Sequence, residues 1–473
     1  MRFAPAGPAV YLPAMEYRTA EERRALGQAR RKQVGRQQHG ELNSKTRPAA
    51  ALALVERSMR GRVPALIALK YQRMAESPFG YFRGAVPVMA ADLAALPSTG
   101  LLAQLCGDAH VRNLGAYAAP DGRLVFDLND FDETIRGPFE WDLKRMAASL
   151  VLAGREAGHK ESSARHAAEI CTARYCAEMR ALALMPMLDV ARHQVHRLQH
   201  NQPVHAALLK AERATPVHTL EQLTGIVPAR KNSAAKVAPA KKAAKKSVLK
   251  LAMPAEERCF KAVPPELERV SPAQARAVLA ALEPYRQRLE PQRQHLLGFY
   301  RPVDVAFKVV GTGSVGLRDY CVYFEGNGEE DPLFLQVKEE PASAYAAYLP
   351  EAGAPAHNGE RVVVGQRNLQ MQSDPFLGWT EMAGRHYLVR QLNDHKGSIE
   401  MEDLAGGGLL AYAEVCGELL ARSHARSSDP VMLAGYLGSG DGFAEAVARF
   451  GSLYADQTEK DWEALRRSGK ARS

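Results

Sequence analysis

Cysteine is scarce in this 473-residue chain, with only six copies. Cys106, Cys171, Cys176, Cys259, Cys321 and Cys416 form no Cys-x-x-Cys pair and no metal-finger spacing, which argues against a disulfide framework or a zinc module. They read as reduced, buried thiols of a cytoplasmic protein. Long apolar runs are missing too, and nothing approaches the roughly 18 residues that span a bilayer. The opening Met1-Arg-Phe-Ala-Pro-Ala-Gly-Pro8 has prolines where a secretory signal carries an unbroken apolar helix, so no membrane partner is expected. Acidic residues are absent between Arg230 and Lys250, where eight Lys and Arg side chains fall. Removing those eight charges from the net +9 leaves the rest of the chain at +1. This Lys/Ala/Pro-rich insert, 228–255, cannot bury a core and is expected to be a disordered tether; nucleic-acid contact is expected only through 230–250. What remains, 46% apolar and 24% charged, is ordinary for a globular chain long enough for two or three domains.

The chemistry gathers first in Cys106-Gly-Asp-Ala-His-Val-Arg-Asn113 and the acidic strand Leu124-Val-Phe-Asp-Leu-Asn-Asp-Phe-Asp-Glu133 that follows. Asp108, Asn113 five positions on, and Asp130 after a hydrophobic strand have the spacing of the base and metal-holding segments of kinase-like phosphotransferases. One carboxylate accepts a hydroxyl proton; an amide oxygen and further carboxylates, here Asn113, Asp130 and Asp132, hold magnesium against ATP phosphates. Strand alternation turns Asp127 to the opposite face from Asp130. His110 is expected to orient the loop. Asp142 opens a helix whose Leu143, Met146, Ala147, Leu150 and Val151 share one face, and it is expected to brace the loop.

A second block begins near Asp304, where the texture becomes strand-like. Val309-Val-Gly-Thr-Gly-Ser-Val-Gly316 lies between two strands, which argues against a dinucleotide fingerprint and for a phosphate-covering hairpin. Gly311, Thr312, Gly313, Ser314 and Gly316 then form the cradle, and Lys338, on a half-buried strand of alternating Leu333, Leu335 and Val337, pairs with phosphates. Glu360, at the start of the helix 361–370, is the expected partner of Lys338. Elsewhere, Ala50–Met74 reads as one helix and Ser77–Gly84 as a loop broken by Pro78 and its glycines.

The segments Arg73-Met-Ala-Glu-Ser-Pro-Phe-Gly-Tyr-Phe-Arg-Gly84, Gly107-Asp-Ala-His110, Asn129-Asp-Phe-Asp-Glu133 and Gly137-Pro-Phe-Glu-Trp-Asp-Leu-Lys-Arg145 resemble an uncharacterised bacterial family, domain-of-unknown-function family 2252 (DUF2252). That family is grouped with the protein-kinase-like superfamily. The resemblance implies a two-lobed α+β fold similar to that of aminoglycoside phosphotransferases. Cys106 stands where those enzymes carry histidine, and Asp132 replaces the glycine of a kinase Asp-Phe-Gly. The order of parts is inverted, with the Asp108 block before the glycine loop, so a circularly permuted kinase-like fold is expected. Its parts are an N-terminal helical region 1–85, a helical lobe 86–302, a β-rich nucleotide lobe 303–396, and helices 397–473 returning beneath Asp108 through Leu409, Tyr412, Ala413 and Cys416.

The expected function is ATP- and Mg2+-dependent phosphoryl transfer to a hydroxyl of a small-molecule or protein acceptor. Nucleotidyl transfer of AMP on the same fold and a non-catalytic nucleotide sensor are the alternatives. A metal-dependent phosphoesterase using Asp108-Ala-His110 ranks last, since it leaves Lys338 and the glycine loop without a role.

Overall fold

The computed structural model describes residues 17–43, 46–194, 201–228, 256–328, 330–353, 355–392 and 395–471, and the fold is mixed α+β. The expected insert 228–255 falls, apart from Pro228, outside the described residues; the strands that flank it, Thr224–Pro228 and Glu256–Phe260, pair antiparallel. No helix among the described residues is long and apolar enough to cross a membrane.

The helical part is built around Glu140–Glu156, a helix of good helix-formers with Glu140 and Asp142 in its first turn, where acids favour the helix dipole. Fifteen of its residues are buried, so it is surrounded rather than laid on a core by one face. Helices Glu161–Leu182, Gly408–Ser427 and Asp441–Arg467 pack around it. Close approach between two of these needs Gly417, since a Cβ there would lie 2.1 Å from the Cys171 carbonyl. Leu409, Tyr412, Ala413 and Cys416 face this core, and the Tyr412 hydroxyl donates to the Val111 carbonyl at 2.7 Å, so the helix Gly408–Ser427 passes beneath the Asp108 segment. All six cysteines are free and buried.

The β-rich part is an antiparallel six-stranded sheet in the spatial order Gly378–Met382, Arg385–Gln391, Pro332–Glu339, Asp319–Glu325, Arg301–Lys308, Leu267–Arg269. The lysine strand Pro332–Glu339 is central and buried on both faces, not the half-buried strand that alternation alone suggested. Leu333, Leu335 and Val337 pack with Val278, Leu282 and Tyr285 of the helix Pro272–Arg288. That helix, grouped by sequence with the helical lobe 86–302, therefore belongs to the sheet, and the β-rich unit begins well before residue 303. On the other face Phe334 packs with Leu220, Phe260 and Leu392, and Gln336 and Lys338 point toward the helical part.

Two expectations near the N-terminus change. The single helix 50–74 is broken into Ala51–Ser58 and Ile67–Ala75, because Gly61 adopts φ +81° and Pro64 restarts the chain in a 3-10 turn. Ser77–Gly84 is a helix, Pro78–Gly84, and not a loop: Ser77 caps it by accepting from the Gly80 N–H, and Pro78 occupies the first turn, where a missing N–H costs nothing.

Candidate functional site

Strand pairing brings the two acidic segments side by side. Leu105 pairs with Ile135, and Leu114 pairs with Leu128, so the loops 106–113 and 129–134 are bracketed by the same two pairs of strands and leave the sheets together. The Asn129 N–H donates to the Asn113 carbonyl at 3.0 Å and closes the gap. The segment leaving the six-stranded sheet adds Gly397–Ser398 to Leu114–Ala118, which fixes the sheet over these loops.

The Asp108 loop is held from below. Asp142 accepts the Cys106 and Gly107 N–H groups at 2.8 and 3.0 Å and lies 3.3 Å from His424 Nε2. It braces the loop, as expected, rather than capping its own helix. Ser149 Oγ accepts the Val111 N–H at 2.9 Å. Asp127 points away from the cleft into a buried ion pair with Arg422. His110 accepts the Arg112 N–H through Nδ1 at 3.2 Å and sets Nε2 3.8 Å from Asp108 Oδ2. Burial pushes His110 well below its ordinary value, aided by Arg83 and Arg145, so the ring is neutral.

Asp108 itself accepts from Arg145 Nε at 2.6 Å through Oδ1, and burial raises its carboxyl against the pull of that guanidinium. Asn113 donates through Nδ2 to the Asp108 carbonyl at 2.9 Å, which leaves its amide oxygen for other work. Burial and the neighbouring Asp132 push Asp130 up to about 6. Burial also opposes ionised Asp132, but Lys338 and Arg390 overrule it and hold that carboxyl below its ordinary range.

The glycine loop comes down on this group from above. It connects Arg301–Lys308 to Asp319–Glu325, and Ser314 Oγ donates to Asp132 Oδ2 at 3.0 Å. Lys338 Nζ makes an ion pair with the same oxygen. Gly311, Thr312, Gly313, Ser314 and Lys338 line one cleft of about 230 Å³ with Asp108, His110, Asn113, Asp130 and Asp132. Gly316 lies outside that lining; it turns at φ +89° and its carbonyl accepts the Val63 N–H at 2.7 Å.

Glu360 does not meet Lys338. It sits half-buried in the first turn of Asn358–Leu369 with its N–H donated to His357 Nδ1. The glutamate that acts on Lys338 is Glu340, buried on the same strand face two residues along, with neither carboxylate oxygen hydrogen-bonded. Burial and Asp132 raise the Glu340 carboxyl well above its ordinary value, against the pull of Lys338 and Arg361. The i, i+2 alternation carried this signal. Glu339, on the other face, is taken by Arg318 and Arg385.

The sequence reading missed a set of cations. Lys70 Nζ donates to the Thr312 and Gly313 carbonyls at 3.0 and 2.7 Å, Arg73 to the Val310 carbonyl at 2.8 Å, and Arg62 to the Val315 carbonyl at 2.6 Å. A peptide's N–H points opposite to its carbonyl. Holding the Thr312 carbonyl from outside therefore turns the Gly313 N–H away from Lys70. The cleft itself carries six cationic side chains, Arg62, Arg83, Lys308, Lys338, Arg390 and Lys396, against the four acids Asp108, Asp130, Asp132 and Glu133. Burial, with Arg390, lowers Lys396 to about 7.

Among the described residues no three His, Cys, Asp or Glu side chains stand preassembled around a metal position. The oxygen donors present still suit magnesium, which keeps several waters and takes one or two carboxylates beside phosphate oxygens. Asp132 Oδ1 is buried without a hydrogen-bond partner, and the Asn113 amide oxygen and Asp130 lie in the same cleft.

No curated protein and no solved structure matches the chain. The family described as "Uncharacterized protein conserved in bacteria (DUF2252)" matches residues 62–468, a stretch that contains every residue lining the cleft, and the chain belongs to that family.

Proposed function

We propose that the protein is a cytoplasmic phosphotransferase of permuted, kinase-like fold that moves a phosphoryl group from ATP to a hydroxyl acceptor with the help of Mg2+. The observation that carries this reading is the bonding of Lys338 and Ser314, from the glycine-loop block, to Asp132, from the block that also holds Asp108, Asn113 and Asp130. A glycine loop, a lysine strand and then a helix, Asn358–Leu369, is the sequence of parts over which kinases lay ATP phosphates. The excess of cations over acids in the cleft suits a polyanion.

Each residue then has a task. Asp108 takes the acceptor's hydroxyl proton on Oδ2, because Oδ1 is engaged by Arg145. The neutral His110 ring and Asp142 keep the loop in one conformation. Asn113, Asp130 and Asp132 would hold Mg2+, which supplies charge neutralisation along the phosphates. Gly311, Thr312 and Gly313 offer backbone N–H groups, the Ser314 N–H being taken by the Gly311 carbonyl at 3.0 Å, and Lys338 pairs with phosphate oxygens once it leaves Asp132.

The test is Mg2+-dependent ATP consumption by the purified protein, with nucleotide products identified by mass. ADP formation or phosphate incorporation, lost in Asp108→Ala and Asp130→Ala, supports the reading. Pyrophosphate release with adenylated product moves it to nucleotidyl transfer. Saturable binding with no turnover across an acceptor screen assigns a sensor, and no ATP binding with or without metal overturns it.

A further inference from the structure

The cations around the cleft are not equivalent. Arg62 and Arg73 donate to glycine-loop carbonyls, and Arg145 donates to Asp108 and to the Phe82 carbonyl at 3.2 Å. Their guanidinium groups are spent on the protein. Arg83 lines the cleft, yet its Nε is buried without a hydrogen-bond partner. It lies between the two halves of the site. Asp108 and Asp130 act on it electrostatically from one side, and a Cβ built on Gly311 would be 3.8 Å from its Nη2 on the other.

Its position is also tied to that of the proposed base. Arg145, which holds Asp108, stacks over the Phe82 ring at 4.2 Å and donates to the Phe82 carbonyl, one residue before Arg83. The helix Pro78–Gly84 that carries Arg83 buries Phe79, Tyr81 and Phe82, so the guanidinium stands on a fixed platform. A guanidinium that lines the cleft beside a carboxylate base and a glycine loop, with its buried Nε unmet, fits an anion that is present only during the reaction.

We infer that Arg83 grips the phosphoryl group in transit between nucleotide and acceptor; this rests on the phosphotransfer proposed above. In that step the acceptor oxygen forms a bond to phosphorus, and the bond from phosphorus to the bridging oxygen of the leaving nucleoside diphosphate breaks, its electron pair staying on that oxygen. The acceptor proton goes to Asp108. Charge spreads over the three equatorial oxygens, where a planar guanidinium places two N–H groups at once. Arg83 is thus a catalytic residue supplied by the N-terminal helices, outside both blocks that first defined the site.

The experiment measures binding of ADP with Mg2+, and of ADP with Mg2+ and aluminium fluoride as a mimic of the phosphoryl group in transit, to the full-length protein. Wild type is expected to bind the fluoride complex much more tightly than ADP alone. Arg83→Ala should bind ADP nearly as wild type does but lose about 100-fold or more of the gain from fluoride. Arg83→Lys should recover little of it, and added guanidinium ion should restore part of it to Arg83→Ala, which a purely structural role would not allow. Equal loss for both ligands, no loss, or a wild type that gains nothing from fluoride overturns the inference, while wild-type ADP binding still supports the nucleotide-site reading. A wild type that binds no ADP removes the phosphotransferase reading, and this inference with it. Should Arg83→Ala fold poorly, Arg83→Gln carries the same comparison.

Discussion

Lys338 and Asp132, 206 positions apart, form a part-buried ion pair that joins the central strand of the sheet to the acidic loop of the helical part. Burial opposes the lysine charge, but Asp132, Asp130 and Glu340 hold its affinity for a proton above the ordinary value. Removing one partner of such a pair strands the other charge in a poor dielectric, which costs roughly 3–5 kcal/mol. Lys338→Met should lower the unfolding free energy from urea titration by up to that order, and Lys338→Met with Asp132→Asn should recover most of the loss. A double variant as unstable as the single one would show that the pair is not the source.

Lys70 fixes the glycine loop from outside through two carbonyls, and it is 1% exposed. Lys70→Met keeps the bulk and removes the donors. The expected outcome is faster amide exchange confined to 309–318 and weaker nucleotide binding, by about 10-fold, with the helical body unchanged. Hydrogen exchange read by mass spectrometry locates the change.

Gly107 supports the Asp108 loop at φ +82°, and a Cβ there would sit 2.2 Å from the Glu133 carbonyl oxygen. Gly107→Ala combines a left-handed strain of about 1–3 kcal/mol with a backbone clash. Asp142→Ala instead orphans two buried N–H groups, at about 1–3 kcal/mol each. Both should lower the thermal midpoint. Asp142→Asn, which keeps an acceptor oxygen, should lose less than Asp142→Ala.

Asp319 gives a pH dependence of defined sign. Burial, partly offset by Lys338 and by the Gln336 amide at 2.7 Å, pushes its carboxyl from 3.8 up to about 7. Above pH 4 the unfolded chain has released this proton while the folded chain retains it. Stability from this group is therefore full below the unfolded value and falls as pH rises through about 7, by roughly 1.4 kcal/mol per unit inside that window. Asp319→Asn should flatten the fall and be more stable than wild type at about pH 8. Urea midpoints measured on both sides of the window test this directly.

Much of the site was legible because its signals are local. Asp108, Asn113 and Asp130 stand at fixed spacing around two short strands. Alternation alone turned Asp127 to the far side, where Arg422 takes it. The same rule, applied once more, puts Glu340 on the face of Lys338, whereas Glu360 was chosen on helix position and lies away from the lysine. Pro78 read as a break because a proline marks either a loop or a helix start, and the Ser77 cap decides between them. Lys70 falls on the apolar stripe between Leu66 and Met74, a polar residue among buried ones, and this was a readable sign of a buried partner.

By itself the sequence determined the acidic strand at Leu124–Leu128, the loops at Asp108 and Gly311 and the braced helix that starts near Asp142, because each depends on residues a few positions apart. Only the tertiary structure decided which carboxylate meets Lys338, which cations hold the glycine loop and which one is left facing the cleft. Those choices join segments tens to hundreds of residues apart, where Coulomb energy and desolvation depend on distance in space and leave no period along the chain.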